Sequence, residues 1–276
     1  MASAPAAQRA THRETLSVAI IACNEEQILP RTLASVAWAD EIVVVDSGSS
    51  DRTVEIARQA GARVLTEPWR GFAAQKNFAI EQCSSQWILS LDADEELSEP
   101  LQQEILALLA HAAQGDSQRD AYRLRRRNLF LGRAMLHGGF YPDPKLRLFR
   151  RVPTHTAPPP RFAERPVHEN LVFDGPSGEL ENDLIHHAYP TLTGYLEHMN
   201  RYSTLGAEIA IGKGKISRSW PAFVTNIVLA PALTFVWNYL FRGGFLDGRE
   251  GLLLHLYHAA YVSSKYAKAW HKNHRR

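Results

Sequence analysis

The front of the chain alternates short, nearly uninterrupted apolar runs with stretches of helical spacing. Leu16–Ala22 (LSVAIIA), Glu41–Val45 (EIVVV), Ala62–Thr66 and Trp87–Leu91 read as four strands. Between the first two, Ile28, Leu29, Leu33 and Val36 recur at the spacing of a helix. Arg52–Ala60 and Phe72–Gln82 repeat that pattern, and Ser98 is placed to cap a further helix running to about Ala112. Asn24 is placed to cap the first helix, with Glu25 and Glu26 at its positive end. Strands this apolar are buried on both faces, and helical connections between them imply a parallel sheet with right-handed crossovers. In such sheets ligands bind outside the carboxyl ends of the strands. Those ends carry Cys23 and Asn24, Asp46 and Ser47, and Asp92 and Asp94.

Past residue 115 the pattern changes. Tyr122-Arg123-Leu124-Arg125 and Lys145–Phe149 alternate as half-exposed strands do, and Pro153–Pro160 reads as a loop. Farther on, Ser219–Phe241 runs for 23 residues without a charge, bracketed by Arg218 and Arg242. Pro221 and Pro231 interrupt it, and Asn226 and Asn238 are polar. A last amphipathic helix carries Leu252, Leu253, Leu256, Tyr257, Ala260, Tyr261, Ser264 and Tyr266 beside lysines.

Composition sharpens this division. The 276 residues are 45% hydrophobic and 22% charged, which excludes a disulfide miniprotein, a collagen-like chain and a disordered chain. The net charge of +2 gives no argument for a nucleic-acid partner, but Thr191–Arg276 holds 11 Lys and Arg against 4 Asp and Glu. The remainder is net acidic. The expected layout is a flexible tail over 1–14, an α/β catalytic domain over 15–190 and a basic, aromatic helical region over 191–276. Cys23 and Cys83 read as two buried reduced thiols, which fits a cytoplasmic protein, and Met1–Arg13 has no apolar signal-peptide core.

Candidate chemistry gathers in three places. Asp92-Ala93-Asp94 follows an apolar strand, and two carboxylates at i and i+2 can share one hard cation if the strand breaks into a turn. Asp-x-Asp alone is weak, since acidic pairs often merely begin helices; its position at a parallel strand end is what matters. Asp46-Ser47-Gly48-Ser49-Ser50-Asp51 is a turn opening a helix, with backbone N–H groups and an acceptor for a base or ribose. It is neither a dinucleotide fingerprint nor a P-loop. Val167-His168-Glu169 and Ile185-His186-His187 lie downstream; singly, such residues are ordinary surface carboxylates and structural histidines.

In order and spacing, N-E-E, V-V-D-S-G-S-S-D-R-T, G-F-A-A-Q-K-N, L-S-L-D-A-D-E, Y-P-D-P-K-L-R-L-F-R-R, V-H-E and I-H-H-A-Y together resemble glycosyltransferase family 2. More narrowly, they resemble bacterial lipopolysaccharide inner-core β-1,4-glucosyltransferases. The resemblance implies a GT-A fold, a Rossmann-like nucleotide-sugar-binding domain, with inversion at the anomeric carbon. It implies Mg2+ or Mn2+, and a nucleotide sugar, UDP-glucose by family weight, as donor. It places Asn24, Glu25, Asp46, Ser47, Lys76 and Asp92 at the nucleotide sugar, Asp94 and His186 on the metal, and Glu169 as the catalytic base. Relatives often write that last motif Glu-Asp; here it is His168-Glu169.

The uncharged run has three readings: a kinked spanning helix, a helix lying in the interface, or a core segment. A single span would put the basic remainder on the far side, against the positive-inside bias, so the interfacial reading is expected, with Trp220, Trp237, Tyr239 and Phe241 at headgroup depth. The resulting expectation is an enzyme at the cytoplasmic face of the inner membrane, acting on a lipid-linked saccharide. Alternatives are transfer to a polyprenyl phosphate, a sugar nucleotidyltransferase, or a scaffold. Ala22–Gln27 (ACNEEQ) lacks the Gly and basic residues expected of a nucleotidyltransferase loop.

Overall fold

The computed structural model describes residues 13–115, 119–154, 158–163 and 170–274. The four apolar runs form β1 (Leu16–Ala22), β2 (Glu41–Asp46), β3 (Arg63–Thr66) and β4 (Trp87–Asp92), all parallel and in the order β3-β2-β1-β4. The sheet then continues through strands that the acidic turn and the middle of the chain supply. These are β5 (Glu95–Leu97), β6 (Ala121–Phe130), β7 (Arg133–Ala134), β8 (Asp143–Arg150) and β11 (Ser177–Tyr189). Their order is β4-β8-β6-β11-β5, with β7 on β6; β8 is antiparallel to β4 and β6, and β11 is parallel to β6. A separate ladder pairs β9 (Arg161–Ala163) with β10 (Asn170–Val172).

Apolar layers cover both faces of the parallel strands. On one face Leu29 and Leu33 of α1 (Leu29–Ser35), Ala57 of α2 (Thr53–Gln59) and Leu101, Ile105 and Leu109 of α4 (Glu99–Ala113) pack on Val18, Ile20, Leu89 and Leu91. On the other, Ala79 of α3 (Phe72–Glu81) and Cys83 pack on Ala19, Val43, Val45 and Ile88. Each fully buried Leu or Ile contributes about 1.5–3 kcal/mol. Successive side chains of a strand point to opposite faces, so an uninterrupted apolar run is what a sheet covered twice requires.

Two local expectations fail at the end of β1. Ser98 caps α4 as anticipated, accepting from the Leu101 N–H, but α1 begins at Ile28 with no side-chain cap. Asn24 takes a left-handed backbone (φ 58°) and is spent elsewhere. Cys23 is exposed, because β1 ends at Ala22 and the chain turns out of the core; Cys83 is buried as expected.

The rear is helical. α5 (Leu192–Gly212) is followed by one helix over Trp220–Phe241 and a terminal helix over Gly248–His274. The prolines do not break the Trp220–Phe241 helix. Pro221 sits in its first turn, where no N–H is needed, and a π turn over Thr225–Leu229 loosens the ladder just before Pro231. Pro231 is the one buried residue of this helix, so it is not a core segment. Its inner side rests on the terminal helix, with Ser263 Oγ donating to the Ile227 carbonyl at 2.9 Å and Phe223 against Trp270 at 5.1 Å. Asp247 ties this pair to the sheet half: it accepts from the His137 N–H (2.9 Å) and contacts His137 Nδ1 (2.7 Å).

Candidate active site

Register builds the site. Ala22 pairs with Asp46 and Ile21 with Asp92, so β1, β2 and β4 end at one level and deliver their following loops to one edge. The first two loops are latched together. Asn24 donates its N–H to Ser49 Oγ (2.8 Å), and its Oδ1 accepts the Ser50 N–H (2.8 Å). Glu25 donates its N–H to Thr53 Oγ1 (2.8 Å), and Glu26 Oε2 accepts the Arg52 N–H (3.1 Å). Glu26 therefore serves the start of α2, not α1. Asp46 is almost fully buried; its Oδ2 accepts the N–H groups of Gly48 and Ser49, both at 2.9 Å, and the Ser49 hydroxyl bonds its other oxygen. Asp46 thus shapes the turn that Gly48 (φ 98°) makes possible. Ser47 donates its N–H to the Ala22 carbonyl (3.0 Å), and its Oγ accepts from Gln75 Nε2 (3.4 Å).

Asp92 sits in a buried charge network. Lys76 reaches its Oδ1 from α3 at 2.6 Å, and Arg147 of β8 reaches its Oδ2 at 2.6 Å. Burial alone would raise the Asp92 carboxyl, but Lys76 and then Arg147 hold it well below the usual carboxylate range. Arg147 also bonds Glu95 (2.6 Å), which is fully buried and accepts the Asp92 N–H at 3.0 Å. Arg126 joins Glu95 (3.3 Å) to Asp143 (2.6 Å). Lys76, read from sequence as a group near the nucleotide, is therefore a buried partner of the first acidic residue.

The second acidic residue faces a histidine. β11 pairs with β5 so that His186 lies opposite Glu95, and with β6 so that it lies opposite Asn128. The His187 N–H bonds the Asp94 carbonyl at 2.9 Å, which fixes the acidic turn to β11. Asn128 Nδ2 donates to the Phe140 carbonyl (3.3 Å), turning its Oδ1 toward His186 Nδ1 (2.7 Å). His186 Nδ1 is engaged by Asn128, and its Nε2 faces Asp94 Oδ2, 3.3 Å away. An imidazole nitrogen and a carboxylate oxygen that face each other are joined either by a proton on Nε2 or by a cation between them. Adjacent oxygen or nitrogen ligands at about 2.1 Å around an octahedral ion are about 3 Å apart, so the pair fits two corners of a Mg2+ or Mn2+ shell. Among the described residues no three His, Cys, Asp or Glu side chains converge on one point, which leaves other corners to water and phosphate oxygens. Glu25 is nearby: burial first, then Asp94 and Asp51, push its carboxyl up to about 7. Glu169 lies outside the described residues. Sequence reading missed Arg147, Glu95, Arg126 and Asn128; the one available signal was the pair of cations two positions apart in β8, Lys145 and Arg147.

Two cavities flank the acidic turn. One, of about 360 Å³, is lined by His186, Asn128, Phe140, Tyr189, Tyr195 and Tyr202 among others and reaches the terminal helix. The other, of about 470 Å³, is lined by Asp92, β6, β8, Phe162 and β10.

A GT-A sheet ending in an acidic turn defines the class, and the chain belongs to glycosyl transferase family 2, whose profile matches residues 17–163. As a member of that family it is a glycosyltransferase, an enzyme that transfers a sugar. Over 264 residues it is 31% identical to the lipopolysaccharide core biosynthesis glycosyltransferase LpsC of Rhizobium meliloti, covering 94% of this chain and 93% of that one. It is 49% identical over 98 residues to an uncharacterized glycosyltransferase of Rickettsia felis, 35% of each chain. Its fold is similar to that of the mannosyltransferase PcManGT from Pyrobaculum calidifontis, solved with GDP-Man and Mn2+ (TM-score 0.54, 15% identity, 94% of this chain and 88% of that chain).

Proposed function

We propose that this chain is an inverting, metal-dependent hexosyltransferase of lipopolysaccharide core assembly, with UDP-glucose as donor. The observation that carries the metal is the Asp94–His186 pair, a carboxylate oxygen and an imidazole nitrogen 3.3 Å apart, with the ring held through Nδ1 by Asn128. Its similarity to LpsC along nearly all of both chains supports the lipopolysaccharide acceptor. In this reading a bound Mg2+ or Mn2+ supplies the positive charge that stabilises the leaving diphosphate. Asp94 and His186 hold it, while Lys76 and Arg147 keep Asp92 ionised beside the nucleotide sugar. Asn24, Glu25, Asp46 and Ser47 form the latched loops against which the nucleotide rests. Glu169, where the family resemblance puts the catalytic carboxylate, is the base. It takes the acceptor hydroxyl proton as the new C1–O bond forms and the bond from C1 to the diphosphate oxygen breaks on the opposite face.

The same reading places the enzyme on the cytoplasmic membrane surface, at a lipid-linked acceptor. Leu233 (67% exposed), Trp237 (59%) and Phe241 (73%) project from one side of the Trp220–Phe241 helix, beside Phe245 and Leu246. Arg242 and Arg249, both exposed, lie next to these residues in the sequence, a pairing of apolar and basic groups suited to an anionic bilayer.

The test of the enzymatic reading is a thermal-shift panel of nucleotide sugars with and without Mn2+. UDP-glucose is expected to raise the melting temperature only when Mn2+ is present. Equal stabilisation in chelator overturns the metal role, and stabilisation by a different nucleotide sugar alone overturns the donor.

A further inference from the structure

The 470 Å³ cavity beside Asp92 has basic walls. Arg123 and Arg126 of β6 and Lys145 and Arg147 of β8 line it, while Asp92 is the one acid among its described lining residues. Nearby carboxylates are already engaged. Asp92 is shared by Lys76 and Arg147, Glu95 by Arg147 and Arg126, and Asp143 by Arg126 and Lys145. Arg123 is left without an acid partner among the described residues, so positive charge is in excess on this wall. Arg147 adds a second sign. It is 5% exposed, and its Nε is buried with no hydrogen-bond partner among the described residues. A buried guanidinium N–H left open is costly unless something accepts from it. Leu146, Phe162, Leu171 and Val172 make the remaining walls apolar, which strengthens attraction to an anion. The pair assigned to the metal and the diphosphate, Asp94 and His186, does not line this cavity.

We propose that this cavity is an oxyanion subsite and that the acceptor saccharide is acidic, presenting a phosphate or carboxylate to Arg123, Lys145 and Arg147. The proposal rests on the glycosyltransferase reading only in assigning the anion to the acceptor. Planar guanidinium groups bind either anion through paired N–H donors, and the ammonium of Lys145 adds a point charge. An acceptor anchored here lies beside Asp92, at the edge where the donor's nucleotide loops converge.

The test uses the full chain and titrates inorganic phosphate without metal, and separately UDP with Mn2+, by calorimetry. Arg123 is exposed and Lys145 is half-buried, so R123Q and the double variant R123Q/K145Q are expected to fold, which a melting curve checks. Wild type is expected to bind phosphate, and the double variant to bind it at least about tenfold more weakly, with UDP affinity within about twofold of wild type. Equal phosphate affinity in wild type and variants overturns the subsite. So does a parallel loss of UDP affinity, because the basic wall would then belong to the donor's diphosphate. Variant-sensitive phosphate binding in a chain that does not bind UDP with Mn2+ upholds the subsite and instead removes the donor assignment.

Discussion

The sheet half and the helical rear each invert an ordinary rule of protein anatomy. The first buries charge: Glu95 is fully enclosed and Arg147 is 5% exposed. The second exposes apolar bulk: Trp220 is 75% exposed and Phe241 73%. Soluble domains normally do the reverse, and each departure is informative because it is costly. The charges of the network are tolerated because Asp92, Glu95 and Asp143 each meet two cations, while buried Asp46 is satisfied by N–H and hydroxyl donors. Nothing within the described chain covers the exposed apolar face. The first anomaly therefore closes on itself, and the second points outward.

Substitutions can break that contrast, and the largest effect is expected at the acidic turn. Asp94→Ala should lower turnover by about 100-fold or more, measured as UDP release across a Mn2+ titration. A wild-type rate in chelator would remove the metal role. Glu169→Gln should cost about 10²–10⁴-fold in rate while donor affinity is kept; unchanged turnover means another group is the base.

Next comes the network itself. Arg147→Met leaves Glu95 buried beside one fewer cation and is expected to destabilise the fold by about 3–5 kcal/mol in urea melts. A loss under about 1 kcal/mol would show that the network contributes little to folding. In the rear, Leu233→Glu combined with Phe241→Glu should leave stability within about 0.5 kcal/mol of wild type, since both side chains are exposed. The same pair should abolish flotation with anionic vesicles. Retained flotation would place the membrane contact elsewhere.

The smallest effect concerns pH. Burial would raise the Glu41 carboxyl, but hydrogen bonds from Ser17, Ser84 and Arg63 bring it down to about 2 from an ordinary 4.5. A depressed folded value contributes stability above pH 4.5 that is lost as pH falls through about 2. Glu41→Gln should therefore cost about 1–2 kcal/mol at pH 7 and only a small fraction of that near pH 2, where the folded carboxyl is about half ionised, read from urea melts at both values.

Much of the site was legible as strand ends. β1, β2 and β4 are apolar enough to be read directly, and a parallel sheet sends Asp46 and Asp92 to one edge. β11 was not legible. Ser177–Tyr189 is mostly polar and breaks register twice against β6, so its period is blurred. Without that strand nothing in the sequence brings His186 to Asp94; the family resemblance placed it there instead. The Arg147–Glu95 and His186–Asn128 contacts join residues on different strands, and pairing of that kind leaves no local pattern. Cys23 was misread because an apolar run does not mark where its last residue turns outward. That one helix runs through both prolines of Trp220–Phe241 was not legible, because Pro221 falls in the first turn and a π turn precedes Pro231.

β11 also sets when the site can exist. Its His187 bonds Glu96 Oε2 at 2.8 Å across 91 residues of chain. A ribosome adding about 5–20 residues per second needs roughly 5–20 s to cover that interval. For that time the acidic turn is complete, yet the strand that fixes it has not been made. Long separations of this kind also slow folding. The nascent chain therefore carries its four parallel strands and their latched loops well before His186 can meet Asp94. Competence to transfer sugar arrives late, with the strand that adjoins the helical rear.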